Sequence, residues 1–187
     1  MPKYDSSFSL PLMSVESLNR MISFRLSVEE YEKFRDLPIR TETPLLLAVG
    51  GEKGPWEMLA SDGWRAISAH GATLTPASYQ QFIKDSAGEW SVAKNVYVAT
   101  RSGWFSCRTA CYLAAGRPCV VEETGWSKFI PSGNGLFAFS TMAETIDALN
   151  SIAADPVRHR AAAYEIAREY FAPDKVLPAM IDAILRD

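Results

Sequence analysis

An α/β fold with a parallel sheet and helices on both faces is what this sequence predicts. Short, wholly apolar runs such as residues 45–49 (LLLAV) and 119–121 (CVV) alternate along the chain with helix starts marked by caps and prolines. Such runs suit strands buried on both faces, and strand–helix alternation suits a parallel sheet. The bulk composition agrees. A chain of 187 residues, 48% hydrophobic and 22% charged, is long enough for one well-cored domain.

The elements follow in order. Residues 1–20 are polar and weakly periodic, and residues 1–40 as a whole read as an N-terminal arm or linker ahead of a domain at 41–187. Within the arm, Ser27 and Glu30 fit a capping box; Tyr31 and Phe34 share one face of a short helix that stops before Pro38. The run at 45–49 ends in Gly50-Gly51 and reads as a buried strand with a tight turn. Pro55 opens a helix that Asp62-Gly63 ends, and 64–68 is a second strand. Thr75-Pro76 starts the next helix, with Tyr79, Phe82 and Ile83 as its apolar face and Gly88 as its close. Residues 90–93 and 96–99 are both strand candidates. Ser106 caps a helix over 107–115, Gly116 fits the left-handed position after it, and 119–121 and 136–139 are further strands. The last third is helical. Thr141 and Glu144 form a capping box, Asp155-Pro156 starts a second helix, and Asp174 caps a third with Met180, Ile184 and Leu185 facing inward.

Charge and cysteine usage exclude several classes. The formal net charge of −3 offers no basic excess for nucleic acid or an anionic membrane. Cys107, Cys111 and Cys119 lack a second Cys/His cluster to complete a zinc site, so no metal is expected; three reduced thiols fit the cytoplasm. The first residues carry no signal-peptide pattern, and no run is long and apolar enough to span a membrane.

The stretch RSGWFSCRTACYLAAGRPCVVEETG, residues 101–125, holds most of the candidate chemistry. A loop that opens directly into a helix presents free backbone N–H groups and partial positive charge, which suits a phosphate. Gly103 permits close backbone approach, Ser106 and Thr109 offer hydroxyls, and Arg101 or Arg108 can pair with a diphosphate. A merely capped helix with solvated arginines would carry the same residues. Glu122 and Glu123, with Thr124 and Gly125, end a strand where carboxylates can accept hydrogen bonds from ribose or sugar hydroxyls. Gly50 and Gly51 follow the first strand without a full dinucleotide fingerprint. Ligands of such folds bind beyond the carboxyl ends of the strands, which places 50–51, 101–106 and 122–125 on one rim. His159, in a charged helical stretch, reads as a surface residue, and no hydrolase motif surrounds His70.

The segment SGWFSCRTACYLAAGRPCVVEETGWSKFIPSGNGLFAF resembles the C-terminal, donor-binding half of GT-B glycosyltransferases, among them predicted bacterial members of a spore-coat-like group. FRDLP, GEWSVAKN and EYFAPDKVLP extend the likeness over about residues 25–187. The resemblance implies a Rossmann-like three-layer sandwich with a helical C-terminal tail. It also implies a nucleotide-diphosphate sugar such as a UDP-sugar as donor substrate, with no other cofactor. Ser102, Gly103, Trp104, Phe105 and Ser106 would line the diphosphate and sugar side. Arg108 and Thr109 would contact phosphate, Lys94 would add a cation, and Glu123, Thr124 and Gly125 would sit beside the donor. Residues 131–135 resemble the loop before the family's last strand. Many relatives carry glutamates at the positions of Gly103 and Cys111, the second on ribose, and the nearest group an aspartate at that of Cys107. The acceptor domain is expected on a missing segment or a separate chain, and residues 1–40 are the expected contact with an acceptor-domain chain or within a homo-oligomer. The competing expectation is a non-catalytic binding module derived from such a domain, and a weaker third is another Rossmann-type nucleotide-binding enzyme.

Overall fold

The structure is a computed structural model that describes residues 21–24, 32–50 and 55–186. Six strands form one parallel sheet: β1 (Met21–Phe24), β2 (Leu45–Val49), β3 (Arg65–Ser68), β4 (Gly88–Ser91), β5 (Cys119–Glu122) and β6 (Leu136–Phe139). They lie in the order β3-β2-β1-β4-β5-β6. Every neighbouring pair is parallel. The α/β class and the parallel sheet expected from the sequence are therefore present.

The helices are α1 (Leu37–Arg40), α2 (Trp56–Ser61), α3 (Ala69–Thr73), α4 (Pro76–Asp85), α5 (Asn95–Ala99), α6 (Cys107–Ala114), α7 (Met142–Ala154), α8 (Pro156–Tyr170) and α9 (Pro173–Leu185). Two apolar clusters flank the sheet, and the period-2 alternation of strand side chains divides residues between them. Leu46, Ala48, Cys119, Val121 and Leu136 join Tyr112 and Leu113 of α6 and Ala163, Ile166 and Ala167 of α8. Leu45, Leu47, Trp90, Val120 and Phe139 join Phe34, Leu37 and Ala148, Leu149 and Ile152 of α7. On that second side Trp90 stacks on Trp64 at 5.4 Å, and Phe34 meets Trp90 and Phe139 edge-on.

Most helix boundaries follow their local signals. Thr75 and Ser78 form a reciprocal capping box on α4, as Thr141 and Glu144 do on α7. Ser106 caps α6, and Gly116 takes φ +63° just beyond its end. Other expectations are corrected. Met21–Phe24, inside the stretch read as an arm, is an interior strand, because pairing with β2 and β4 selects a four-residue run too short to stand out by period. Residues 32–33 are helical and a turn at 34–36 follows, so a helix does end before Pro38, as expected; Pro38 itself sits in the first turn of the next helix, α1, where its missing N–H costs nothing. Gly88 opens β4 instead of closing α4. Residues 96–99 are helical in α5, although Val96, Tyr97 and Val98 favour strands. Asp174 lies in the first turn of α9, whose cap is Ala172 without a side-chain bond. Met180, Ile184 and Leu185 are exposed, together with Leu177 and Ile181 on the same stripe. The Ser27–Glu30 box and Tyr31 lie outside the described residues.

His159 is also corrected: it is 1% exposed. Its Nδ1 accepts the Gly135 N–H at 3.2 Å, its Nε2 lies 3.2 Å from Ser151 Oγ, and its ring packs 5.2 Å from Phe137. Nδ1 must therefore be unprotonated. Burial first, then the neighbouring Arg158, pull its pKa below the ordinary histidine value, while Asp155 and the Ser151 bond oppose the shift. A depressed pKa means that the unfolded chain takes the proton more readily. The stabilising contribution is complete above the unfolded pKa and is lost as pH falls through the folded one. Denaturation midpoints of the wild type are expected to fall faster than those of His159→Gln as pH drops from 7.5 to about 5. Parallel pH profiles would show that His159 does not titrate with folding.

Candidate functional site

The order β3-β2-β1-β4-β5-β6 reverses direction between β1 and β4. In open parallel sheets that reversal leaves a crevice beyond the strand ends, where ligands bind. Three of the connections that reach this rim hold the sequence-predicted residues: Gly50 after β2, the segment from Val92 to Ser106 after β4, and residues 123–125 after β5. The β2 and β5 ends are three strand spacings apart, about 14 Å. Gly50 is therefore not joined to the other two. It is exposed, and a Cβ there would meet nothing within 4 Å among the described residues. Gly51 lies outside the described residues.

Residues 101–106 and 122–125 are brought together. The Gly103 N–H donates to the Thr124 carbonyl at 2.7 Å, and the Thr124 hydroxyl donates to the Trp104 carbonyl at 2.6 Å. Glu122, buried at the end of β5, accepts the Ala93 N–H at 2.9 Å and ties the start of the β4 connection to the same place. Gly125 has φ +101°, and a Cβ on it would lie 2.9 Å from the Arg101 carbonyl oxygen. Only glycine allows this approach without displacement. Arg101 itself adopts φ +48°, the sole left-handed residue other than glycine among those described. The Glu123 carboxylate accepts the Gly125 N–H.

The predicted residues divide by what they face. Ser106 is buried and accepts the Arg108 N–H at 3.2 Å, so it serves the start of α6. Phe105 turns inward, stacked on Phe171 at 5.4 Å and edge-on to Trp126. Thr109 is fully buried, and its hydroxyl has no hydrogen-bond partner among the described residues. Lys94, Arg101 and Ser102 are exposed, and neither Lys94 nor Arg101 forms an ion pair among the described residues. Trp104 is half-buried and stacks on Tyr97.

Arg108 has a different task from the one its position suggests. Its Nε donates to Glu89 Oε1 at 2.5 Å and its Nη2 to Ser91 Oγ at 2.7 Å. Burial works against its charge, but Glu89 beside it outweighs burial and raises the guanidinium pKa above its ordinary value. Glu89 is fully buried on β4, and its Oε2 has no hydrogen-bond partner among the described residues. Tyr79 borders this pair; burial pushes its phenol up to about 12, Arg108 opposing. Glu89 was missed as a functional residue. The available signal was an ionisable group inside the otherwise buried strand GEWS. Cys107 and Cys111 are exposed on α6, and no cluster of metal-ligating residues occurs among those described.

No protein-family model matches the chain, and no curated protein does. Among the described residues, no helix is long and apolar enough to cross a membrane.

Proposed function

We propose that this chain is the nucleotide-diphosphate-sugar-binding domain of a glycosyltransferase. In this reading it is a Rossmann-like, three-layer half of a GT-B fold that works in the cytoplasm with a separate acceptor domain. The observation that carries the reading is the clamp between 101–106 and 122–125 at the carboxyl ends of neighbouring strands, beside the sheet's reversal and ahead of a capped helix. Positive charge at that rim comes from Lys94, Arg101 and the start of α6. These groups would stabilise the diphosphate as it leaves with negative charge, the role that preorganised donors serve in group transfer. Three free thiols fit a reducing compartment.

Titration calorimetry of the full chain with UDP, TDP and GDP, and with their sugars, is expected to show saturable binding at millimolar ligand. Absence of heat with every one of them refutes the donor-domain reading. One observation favours a second reading, a non-catalytic module: Arg108, the cation nearest the helix start, is consumed by Glu89 and Ser91. That reading predicts silence in the same titrations.

A further inference from the structure

Tyr97 and Trp104 lie face to face, with ring centroids 4.9 Å apart and planes 7° from parallel, and both remain half-exposed. The stacks of Trp64 on Trp90 and of Trp90 on Phe139 are, by contrast, buried in the core. The turn between Tyr97 and Trp104 is held at four points. The Ser102 N–H donates to the Tyr97 carbonyl, the Trp104 N–H to Ser102 Oγ, the Gly103 N–H to the Thr124 carbonyl, and the buried Thr124 hydroxyl to the Trp104 carbonyl. Arg101 pays for the turn with a left-handed backbone. Backbone strain and a buried anchor thus hold two rings at the surface, where burial of apolar area explains little of the arrangement.

The surroundings specify the ligand. Phe129, 74% exposed, lies beside the same turn, its ring 3.9 Å from where a Cβ on Gly103 would stand. Lys94, Arg101 and Lys128 are exposed and form no ion pair among the described residues. The nearby carboxylate of Glu123 is occupied by the Gly125 N–H. Half-exposed aromatic rings, with Lys94 and Arg101 on the same segment of chain, suit an anion that carries a flat ring.

We propose that the Tyr97–Trp104 pair is a stacking platform for the base of a nucleotide, gripping the base by its face. This rests on the donor-domain reading and adds a specificity to it. The bordering hydroxyls of Thr100, Ser102 and Thr124 are engaged with backbone groups instead of projecting to read a base edge. Every base has a π-face, so the site tolerates different bases.

The test is calorimetry of the full chain with UDP, TDP and GDP, using inorganic pyrophosphate as the ringless reference. The three diphosphates are expected to bind within about tenfold of one another. Trp104→Ala is expected to lower the ratio of GDP to pyrophosphate affinity by about tenfold, and Trp104→Phe to retain it. Should Trp104→Ala not fold, one-dimensional NMR of the wild type serves instead, with the base protons of GDP shifting upfield on binding. An unchanged affinity ratio, no upfield shift, or a preference for one base beyond about a hundredfold overturns the platform while leaving the donor site standing. Failure of pyrophosphate and all three diphosphates to bind overturns both.

Discussion

Gly135→Ala is expected to destabilise the protein by about 2–5 kcal/mol, the combined cost of a left-handed alanine and an overpacked contact. Gly135 has φ +76° and lies directly against α8. A Cβ there would sit 2.8 Å from the Ala162 carbonyl carbon and 2.9 Å from the His159 carbonyl oxygen, and would collide with the Ala163 nitrogen. These atoms belong to helix backbone and cannot swing aside. Gly116→Ala separates the two costs. Gly116 is also left-handed, at φ +63°, but its nearest neighbour would be Arg160 O at an ordinary 3.5 Å. That variant should lose only the conformational part, about 1–2 kcal/mol. Urea denaturation of the two variants and the wild type measures both losses. Equal losses would show that β6 does not approach α8 so closely.

Arg108→Met is expected to cost about 3–5 kcal/mol, because it strands the carboxylate of Glu89 without a cation. Glu89 is 0% exposed and one of its oxygens has no hydrogen-bond partner among the described residues, whereas the Arg108 side chain keeps 20% of its surface. Removing both charges is a different perturbation. Glu89→Leu combined with Arg108→Met should recover most of the loss, since an apolar pair of similar volume carries no desolvation penalty. A double-mutant cycle in urea reads the coupling directly. Additive losses, or a loss below about 1 kcal/mol for Arg108→Met alone, would place the pair in water. The same cycle bears on function, because an arginine held this firmly by Glu89 and Ser91 is not readily surrendered to a phosphate.

Features written in a few adjacent residues were legible in the sequence. The Ser106 cap, the left-handed Gly116, the Thr141–Glu144 box and the buried runs of β2 and β5 all depend on neighbours close along the chain. What escaped depends on distant partners. Residues 95–99 carry strand-favouring side chains, yet α5 forms on the rim where no strand edge is offered to them. His159 was judged by its charged neighbours, although it shares a helical stripe with Ala163, Ile166 and Ala167, and that spacing marks a buried face. The stripe of α9 was correctly periodic but has no apolar cover among the described residues. In the candidate site, the sequence pattern brought forward the loop and the strand end that are clamped together. Only the fold could show that Arg108 turns away to Glu89 and that Tyr97 joins Trp104.

The interior position of β1 has a consequence for synthesis. Met21–Phe24 pairs on one side with Leu45–Ala48, which follows closely, and on the other with Gly88 and Glu89, about 70 residues later. A ribosome adding about 5–20 residues per second leaves that second edge waiting for several seconds. Throughout that interval the nascent β3-β2-β1 half carries an open ladder of N–H and C=O groups, the kind of edge that recruits foreign strands. Crowded polysomes, rather than the finished protein, are where this fold is most vulnerable to aggregation.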